Sequence, residues 1–286
     1  MRAVRRRIAS GLVAKAAASA LVLSAGVLSG CGVLTTSPAA GTFKPRNRGV
    51  LTVVTSDVPE PGFWVGTIAH PTGGFEYELA RDLAVRFGLK SVHIRIEQFN
   101  RVVDGKLGDA DLALDLITPT SQREQNLDFS AAYLTDPPAV VVRSGTDMRD
   151  LATAQGVRWG AITSTTFVGD IRSLVDPNSP VRIYDQQADM LAALADGRID
   201  AVLMDLPLAV AMADRSNGKL TVVAQLPVAE DIAAALPKGS GNRQAVDSAM
   251  RAFTATGIID QLLKKWVGPA AANADKAIPL LHTTRR

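Results

Sequence analysis

The sequence predicts an α/β fold of two lobes, each a mostly parallel sheet flanked by helices, joined by a two-strand hinge. Three observations carry this. From Gly49 onward short apolar strands alternate with amphipathic helices, the pattern of a parallel-rich sheet covered by helices. The alternation yields roughly nine or ten strands, too many for one compact open sheet of this length. The length of 286 residues also favours two domains at about 150 residues each. Apolar residues make up 47% and charged residues 21%, enough for a sizeable core, which excludes a disordered chain, a collagen and a disulfide scaffold.

The elements follow in order. Val50–Thr55 is a short apolar strand. Phe75, Leu79, Leu83 and Phe87 recur at helical spacing, and Gly88 stops the helix. Val92, Ile94 and Ile96 alternate with polar residues, a strand signature. Phe99–Leu107 reads as a helix and Leu112–Ile117 as a buried strand. A second series opens after Pro137-Pro138 with strand Ala139–Val142. Then come helix Met148–Ala154, strand Val157–Ile162, helix Thr166–Leu174 and strand Val181–Tyr184. Helix Gln187–Asp196 closes at Gly197 before strand Ala201–Met204, helix Leu206–Ala213 and strand Leu220–Val223. Strand Ile232–Leu236 precedes helices Asn242–Thr256 and Ile258–Trp266, parted by Gly257. The stretch 269–286 has no sustained period and reads as a tail. Crossings at Leu134–Val142 and Val223–Ile232 make the first lobe discontinuous, 48–136 with 229–268, around a second lobe of 139–224.

The net charge of +3 is a property of the N-terminus. Five of the 31 basic residues and none of the 28 acidic ones lie in residues 1–30, so the rest carries about −2. No cluster of Lys and Arg marks a phosphate-binding face, and aromatics are sparse at 5%. Both count against a nucleic-acid partner. His70, His93 and His282 are far apart, with no zinc spacing, so neither a metal nor a cofactor is expected. Neither a P-loop nor a Gly-x-Ser-x-Gly elbow is present.

Residues 1–15 are basic, and Ala16–Leu28 is an uncharged run of small and apolar residues. That run is short of the ~20 residues a membrane span needs and fits the core of a secretory signal. Leu28-Ser29-Gly30-Cys31 follows, and Cys31 is the chain's one cysteine. This resembles a bacterial lipoprotein signal of residues 1–30, cleaved before a lipid-bearing cysteine. The resemblance implies a protein anchored through acyl chains on Cys31 to the outer side of the cell membrane. Residues 31–47 read as a flexible tether.

In open α/β sheets, ligands bind beyond the C-terminal ends of strands. The four loops there begin at Thr55, Leu114, Gly160 and Gly197. They supply Asp57 beside Phe63 and Trp64, then Asp115, Thr118 and Arg123, then Thr165 and Thr166, and last Asp205. One guanidinium fork, a hydroxyl-rich turn and several carboxylates form a set that suits a small zwitterion. Each residue also has a plainer role: Arg123 as a surface base, Asp57 as a turn former, Asp205 as an N-cap, the threonines as caps.

GVLTVVTSD, GGFEYELARDLAVRFGL, DGKLGDADLALDLITPTSQREQNLDFSAAYL, VRWGAITSTT and LADGRIDAVLMD, in this order, resemble the extracellular solute-binding proteins of polar amino-acid ABC transporters, family 3. The resemblance covers about Gly49 to Gly268 and implies the two-lobed type II periplasmic-binding-protein fold. By position, Arg123 matches the arginine that binds an α-carboxylate, with Thr118, Thr165 and Thr166 as further donors. Asp205 matches the α-ammonium acceptor, Asp57 the acid that meets a polar or cationic side chain, and Phe99 an aromatic of the side-chain pocket. Asp128-Phe129-Ser130 and Tyr133 match a structural turn into the hinge. The implied function is capture of an amino acid, polar or basic favoured, for delivery to a membrane permease by a monomeric protein that is not an enzyme. An enzyme of the same fold, similar to a cyclohexadienyl or arogenate dehydratase, and a sensor for a membrane signalling protein are the alternatives. The sequence departs from the family at Val58–Trp64, at Asp115 and at Ser164, where glycine is usual.

Overall fold

A computed structural model describes residues 42–146, 148, 150–270 and 273–281. The signal segment, Cys31, most of the tether, His282 and the end of the tail lie outside the described residues. Strand β1 (Val50–Thr55) leads into hairpin β2 (Val65–Gly66) and β3 (Pro71–Gly73), helix α1 (Phe75–Arg86), β4 (Ser91–Ile96), α2 (Phe99–Val103), β5 (Leu112–Ala113) and β6 (Leu127–Asp136). Past Pro137 come β7 (Pro138–Arg143), α3 (Leu151–Gly156), β8 (Trp159–Ile162), α4 (Phe167–Asp170) and β9 (Arg182–Tyr184). Then follow α5 (Gln187–Ala195), β10 (Ala201–Asp205), α6 (Leu206–Arg215) and β11 (Leu220–Gln225). The chain returns through β12 (Glu230–Pro237) to α7 (Arg243–Ala255), α8 (Ile258–Trp266) and α9 (Ala274–Ala277).

Two five-stranded sheets result, ordered β4-β1-β5-β12-β6 and β11-β7-β10-β8-β9. Neither is mostly parallel, contrary to the sequence expectation. Each has two parallel and two antiparallel pairings. The reason is the double crossing: β6 leaves the first sheet and β12 re-enters beside it in the opposite direction, with Glu230 facing Asp136. The crossing strands β7 and β11 likewise pair antiparallel in the second sheet.

Apolar burial drives these choices. In β1 every residue after Val50 is buried, so β-branched side chains fill both faces of a central strand. On α1, Leu79, Ala80, Leu83 and Ala84 are buried, while Glu76 and Glu78 in the first turn and Arg86 in the last complement the helix dipole. Gly74, just before the helix, has φ 119°, and a Cβ there would lie 2.0 Å from the Phe63 carbonyl oxygen. Only glycine allows that approach. The Glu76 carboxylate is fully buried and accepts from Trp64 Nε1 at 2.8 Å, from the Leu116 N–H at 3.0 Å and from the Tyr133 hydroxyl. One side chain thus pins the loop after β1, the loop after β5 and strand β6.

Several boundaries differ from the sequence reading. Strand β5 ends at Ala113 instead of running to Ile117, because the backbone turns at Leu116, whose φ is 47°. Helix α2 ends at Val103, where Asp104-Gly105 turns with φ 79° at the glycine. Helix α3 starts at Leu151, since Asp150 caps it by accepting the Thr153 N–H at 2.9 Å. Strand β6, ten residues long, takes in Asp128–Ser130 and Tyr133, which the sequence reads as a turn, and the start of the crossing at Leu134, because short and polar residues interrupt its apolar side. The described part of the tail is structured: α9 forms, and Gln225 holds Pro279 and Leu281 by backbone bonds of 2.9 and 2.8 Å.

Candidate functional site

A cavity of about 280 Å³ lies where the loops after β1, β5, β8 and β10 converge between the two sheets. That is near the lower end of small-molecule pockets, ~300 Å³. All eight residues singled out from sequence line it: Asp57, Phe99, Asp115, Thr118 and Arg123 from the first-sheet side, Thr165, Thr166 and Asp205 from the second.

Arg123 opens a 3-10 turn, Arg123–Gln125, and is 7% exposed. Its Nη1 donates to the Thr118 carbonyl at 2.7 Å and its Nη2 to the Ser164 carbonyl, on the opposite side of the cleft, at 2.9 Å. Phe99 packs below, with its ring centre 5.4 Å from Cζ. Burial pulls the guanidinium pKa down to about 10, against the opposing pull of Glu230, Asp205 and Asp115. Each terminal nitrogen carries a second N–H, so the fork can still receive a carboxylate. Two non-glycine residues with left-handed φ flank it, Leu116 at 47° and Ser164 at 64°, a conformation held against its intrinsic cost.

The threonine hydroxyls are committed inside the protein. Thr118 and Thr166 both donate to Glu230 Oε2, at 2.6 and 2.9 Å, and Thr165 donates to the Ile162 carbonyl at 2.8 Å. A hydroxyl has one proton, so in this arrangement these oxygens offer lone pairs to the cavity. Glu230 links the two sides of the cleft. Sequence reasoning missed it because it opens a hinge strand and belongs to none of the four loops.

The carboxylates are unusual. Asp115 Oδ1 accepts three bonds, from Thr55 Oγ1 at 2.9 Å, the Ser56 N–H at 3.0 Å and Ser56 Oγ at 2.9 Å. Its Oδ2 is buried and has no partner. Burial pushes the Asp115 carboxyl well above the usual range. Burial also raises Asp57. Asp205 is raised well above its usual value by burial, and the nearby Asp136 and Glu230 add to the shift. The capping role considered for Asp205 is not seen: its side chain makes no cap bond. Asp136 Oδ2 accepts the Leu206 N–H instead, at 2.9 Å.

Phe63 and Trp64, the two rings near Asp57 in the first loop, are fully buried core and do not line the cavity. The wall there is Glu60, buried at 6% exposure, with the Gln187 amide 3.5 Å away across the cleft. Its position three residues past Asp57 in the first loop was the available signal. Among the described residues no cluster of His, Cys, Asp and Glu could hold a metal ion, and no helix is long and apolar enough to cross a membrane.

Known proteins resemble this chain in sequence and in fold. The L-cystine-binding protein TcyJ of Escherichia coli (strain K12) is 25% identical over 228 residues, 79% of this chain and 85% of TcyJ. The crystal structure of the P235GK mutant of ArgBP from T. maritima superposes with a TM-score of 0.65 at 26% identity, covering 77% of this chain and 95% of ArgBP. An ancestral arginine-binding protein bound to glutamine gives a TM-score of 0.68 at 25% identity, covering 78% and 99%. The shared fold is that of type II periplasmic binding proteins. The model of the bacterial extracellular solute-binding proteins, family 3, matches residues 52–269, from within β1 to past α8. The chain belongs to that family.

Proposed function

We propose that this protein is a lipid-anchored extracytoplasmic receptor that closes two lobes, 48–136 with 229–268 and 139–224, around an amino acid and passes it to an ABC permease. The observation that carries this reading is the cavity itself, with one guanidinium fork, Arg123, facing carboxylates from both sheets. Arg123 holds the α-carboxylate and Asp205 the α-ammonium, while Thr118, Thr165, Thr166 and Phe99 shape the rest of the wall. Asp57 and Asp115 favour a polar or basic side chain. The likeness to a cystine-binding protein and to arginine-binding proteins supports an amino-acid ligand. A ligand touching both lobes favours the closed form by differential contact. Lipid on Cys31 keeps the receptor beside its permease.

Calorimetric titration of Arg123→Ala against the wild-type ligand tests the reading. Loss of the bidentate partner is expected to weaken binding on the order of 30-fold or more while the protein stays folded. Unchanged affinity removes the carboxylate role.

One observation favours a second reading. Glu60 and Asp115 are buried carboxyls that line the cavity, and burial raises both above the usual carboxylate range, the setting of a general acid. Turnover of prephenate or arogenate would establish a dehydratase.

A further inference from the structure

The family match ends at residue 269, and the chain beyond it docks on the second sheet. Helix α8 packs on α1 and α7, and Val267 just past it is buried. Arg215 of α6 donates to the Trp266 carbonyl at 3.1 Å, so the end of α8 already lies beside a helix that follows β10 of the second sheet. Helix α9 then packs on α6, with Ala274 buried.

The anchor is Gln225, the last residue of β11 and 4% exposed. Its backbone N–H donates to the Pro279 carbonyl at 2.9 Å, and its carbonyl accepts the Leu281 N–H at 2.8 Å. Its side-chain amide donates to the Asp275 and Ile278 carbonyls, both at 2.6 Å, which uses both of that nitrogen's protons. Leu281 is buried in the core of the second sheet with Val140, Trp159 and Leu203. One glutamine and one leucine thus fasten the tail to the second sheet, while α8 is fastened to the helices of the first.

The passages from β6 to β7 and from β11 to β12 already join the two sheets. The tail is a third passage, and it does not lie flat on the other two. A cavity of about 750 Å³ separates them, lined by Leu134 and Pro137 of one crossing, Leu226 and Val228 of the other, Leu263 of α8 and Leu280 of the tail. That space lets the crossings bend beneath the tail, as hinge closure requires. The two sides of the cleft touch in this arrangement, through Arg123 to Ser164 and through Glu230 to Thr118 and Thr166. A segment fastened to both bodies in one arrangement favours that arrangement by differential contact.

We propose that residues 273–281 form a third hinge connection, fastened to the second lobe by Gln225 and Leu281, that biases the lobes towards the closed form and so tightens ligand retention. This rests on the two-lobe receptor reading above. The segment lies outside the family match, so the device belongs to this chain's own extension.

Two full-length variants test it. Gln225→Leu removes both side-chain bonds, and Leu281→Ala removes the apolar anchor should the first fold poorly. Small-angle scattering and amide exchange are recorded on wild type and variants after denaturation and refolding to strip ligand. The variants are expected to show a larger radius of gyration than unliganded wild type, with faster exchange at Ile278 and Leu281. Calorimetry with the twenty amino acids and cystine as probes is expected to show a bound probe losing affinity on the order of 10-fold, the effect of a smaller closed population. Exchange equal to wild type in both variants overturns the anchoring. Faster exchange with an unchanged radius of gyration and unchanged affinity makes the tail a passive extension, which overturns the inference and leaves the receptor reading standing. A wild type that none of these probes makes more compact overturns the receptor reading, while the comparison of unliganded radii still decides the role of the tail.

Discussion

Asp136 caps a helix that does not belong to its own sheet. It ends β6, and its Oδ2 accepts the backbone N–H of Leu206, the first residue of α6, at 2.9 Å. The residue that directly precedes the helix, Asp205, is thereby left to face the cavity. The two aspartates thus divide two tasks that one residue performs in an ordinary N-cap.

That division is testable by a pair of variants. Asp205→Asn is expected to weaken ligand binding with little change in stability, since it caps nothing. Asp136→Ala is expected to cost about 1 kcal/mol of stability, the usual value of an N-cap. Urea unfolding and calorimetry on both variants separate the effects. Equal loss of stability in the two would contradict the division.

Glu76 is a second pinning point. Its carboxylate satisfies donors from Trp64, Leu116 and Tyr133 in a fully buried setting. Glu76→Ala strands these donors, at about 1–3 kcal/mol for each left unmade. A loss of several kcal/mol in urea unfolding is expected. The loop carrying Asp115 and Thr118 should loosen as well, seen as faster amide exchange at Leu116. A loss below about 1 kcal/mol would mean that water replaces the carboxylate readily.

Two buried carboxyls near Glu230, Asp136 in the hinge and Asp170 at the end of α4, are expected to give stability a pH dependence. Burial raises Asp136 from 3.8 to about 7, with Glu230 adding to the shift. Asp170 rises from 3.8 to about 7 through burial and its bond to Glu230. Both are carboxyls whose folded pKa lies above the unfolded one, so the folded state holds more protons between those values. Stability from this source is complete below the unfolded pKa, falls as pH rises through the folded pKa, and is then gone. The melting temperature is therefore expected to be higher at pH 5 than at pH 7.5. Asp136→Asn, which keeps an acceptor for Leu206, should flatten the slope. A melting temperature rising across that interval would contradict these assignments.

Much of this was legible in the sequence, for physical reasons. Amphipathic spacing located α1 within a residue at its C-terminal end, because burial of Leu79 and Leu83 decides that helix. The four loops were found because strand ends dictate where ligands meet an α/β sheet. What escaped depended on long-range pairing. Glu230 reaches Thr118 and Thr166 only because β12 returns beside β6. Glu60 replaces Phe63 and Trp64 at the wall because α1 draws those two rings into the core. The antiparallel half of each sheet follows from the double crossing, which no local pattern encodes.

The most direct measurement is a thermal-unfolding screen of the protein after denaturation and refolding to strip carried-over ligand. The panel is the twenty amino acids with ornithine, citrulline, prephenate, sugars and organic acids. A ligand at about 100 times its Kd adds roughly 2.7 kcal/mol. At this size that raises Tm by about 2–4 °C per kcal/mol. The result predicted is a clear shift with one or a few amino acids, polar or basic ones foremost. A panel in which no amino acid shifts the melting temperature would contradict the receptor reading.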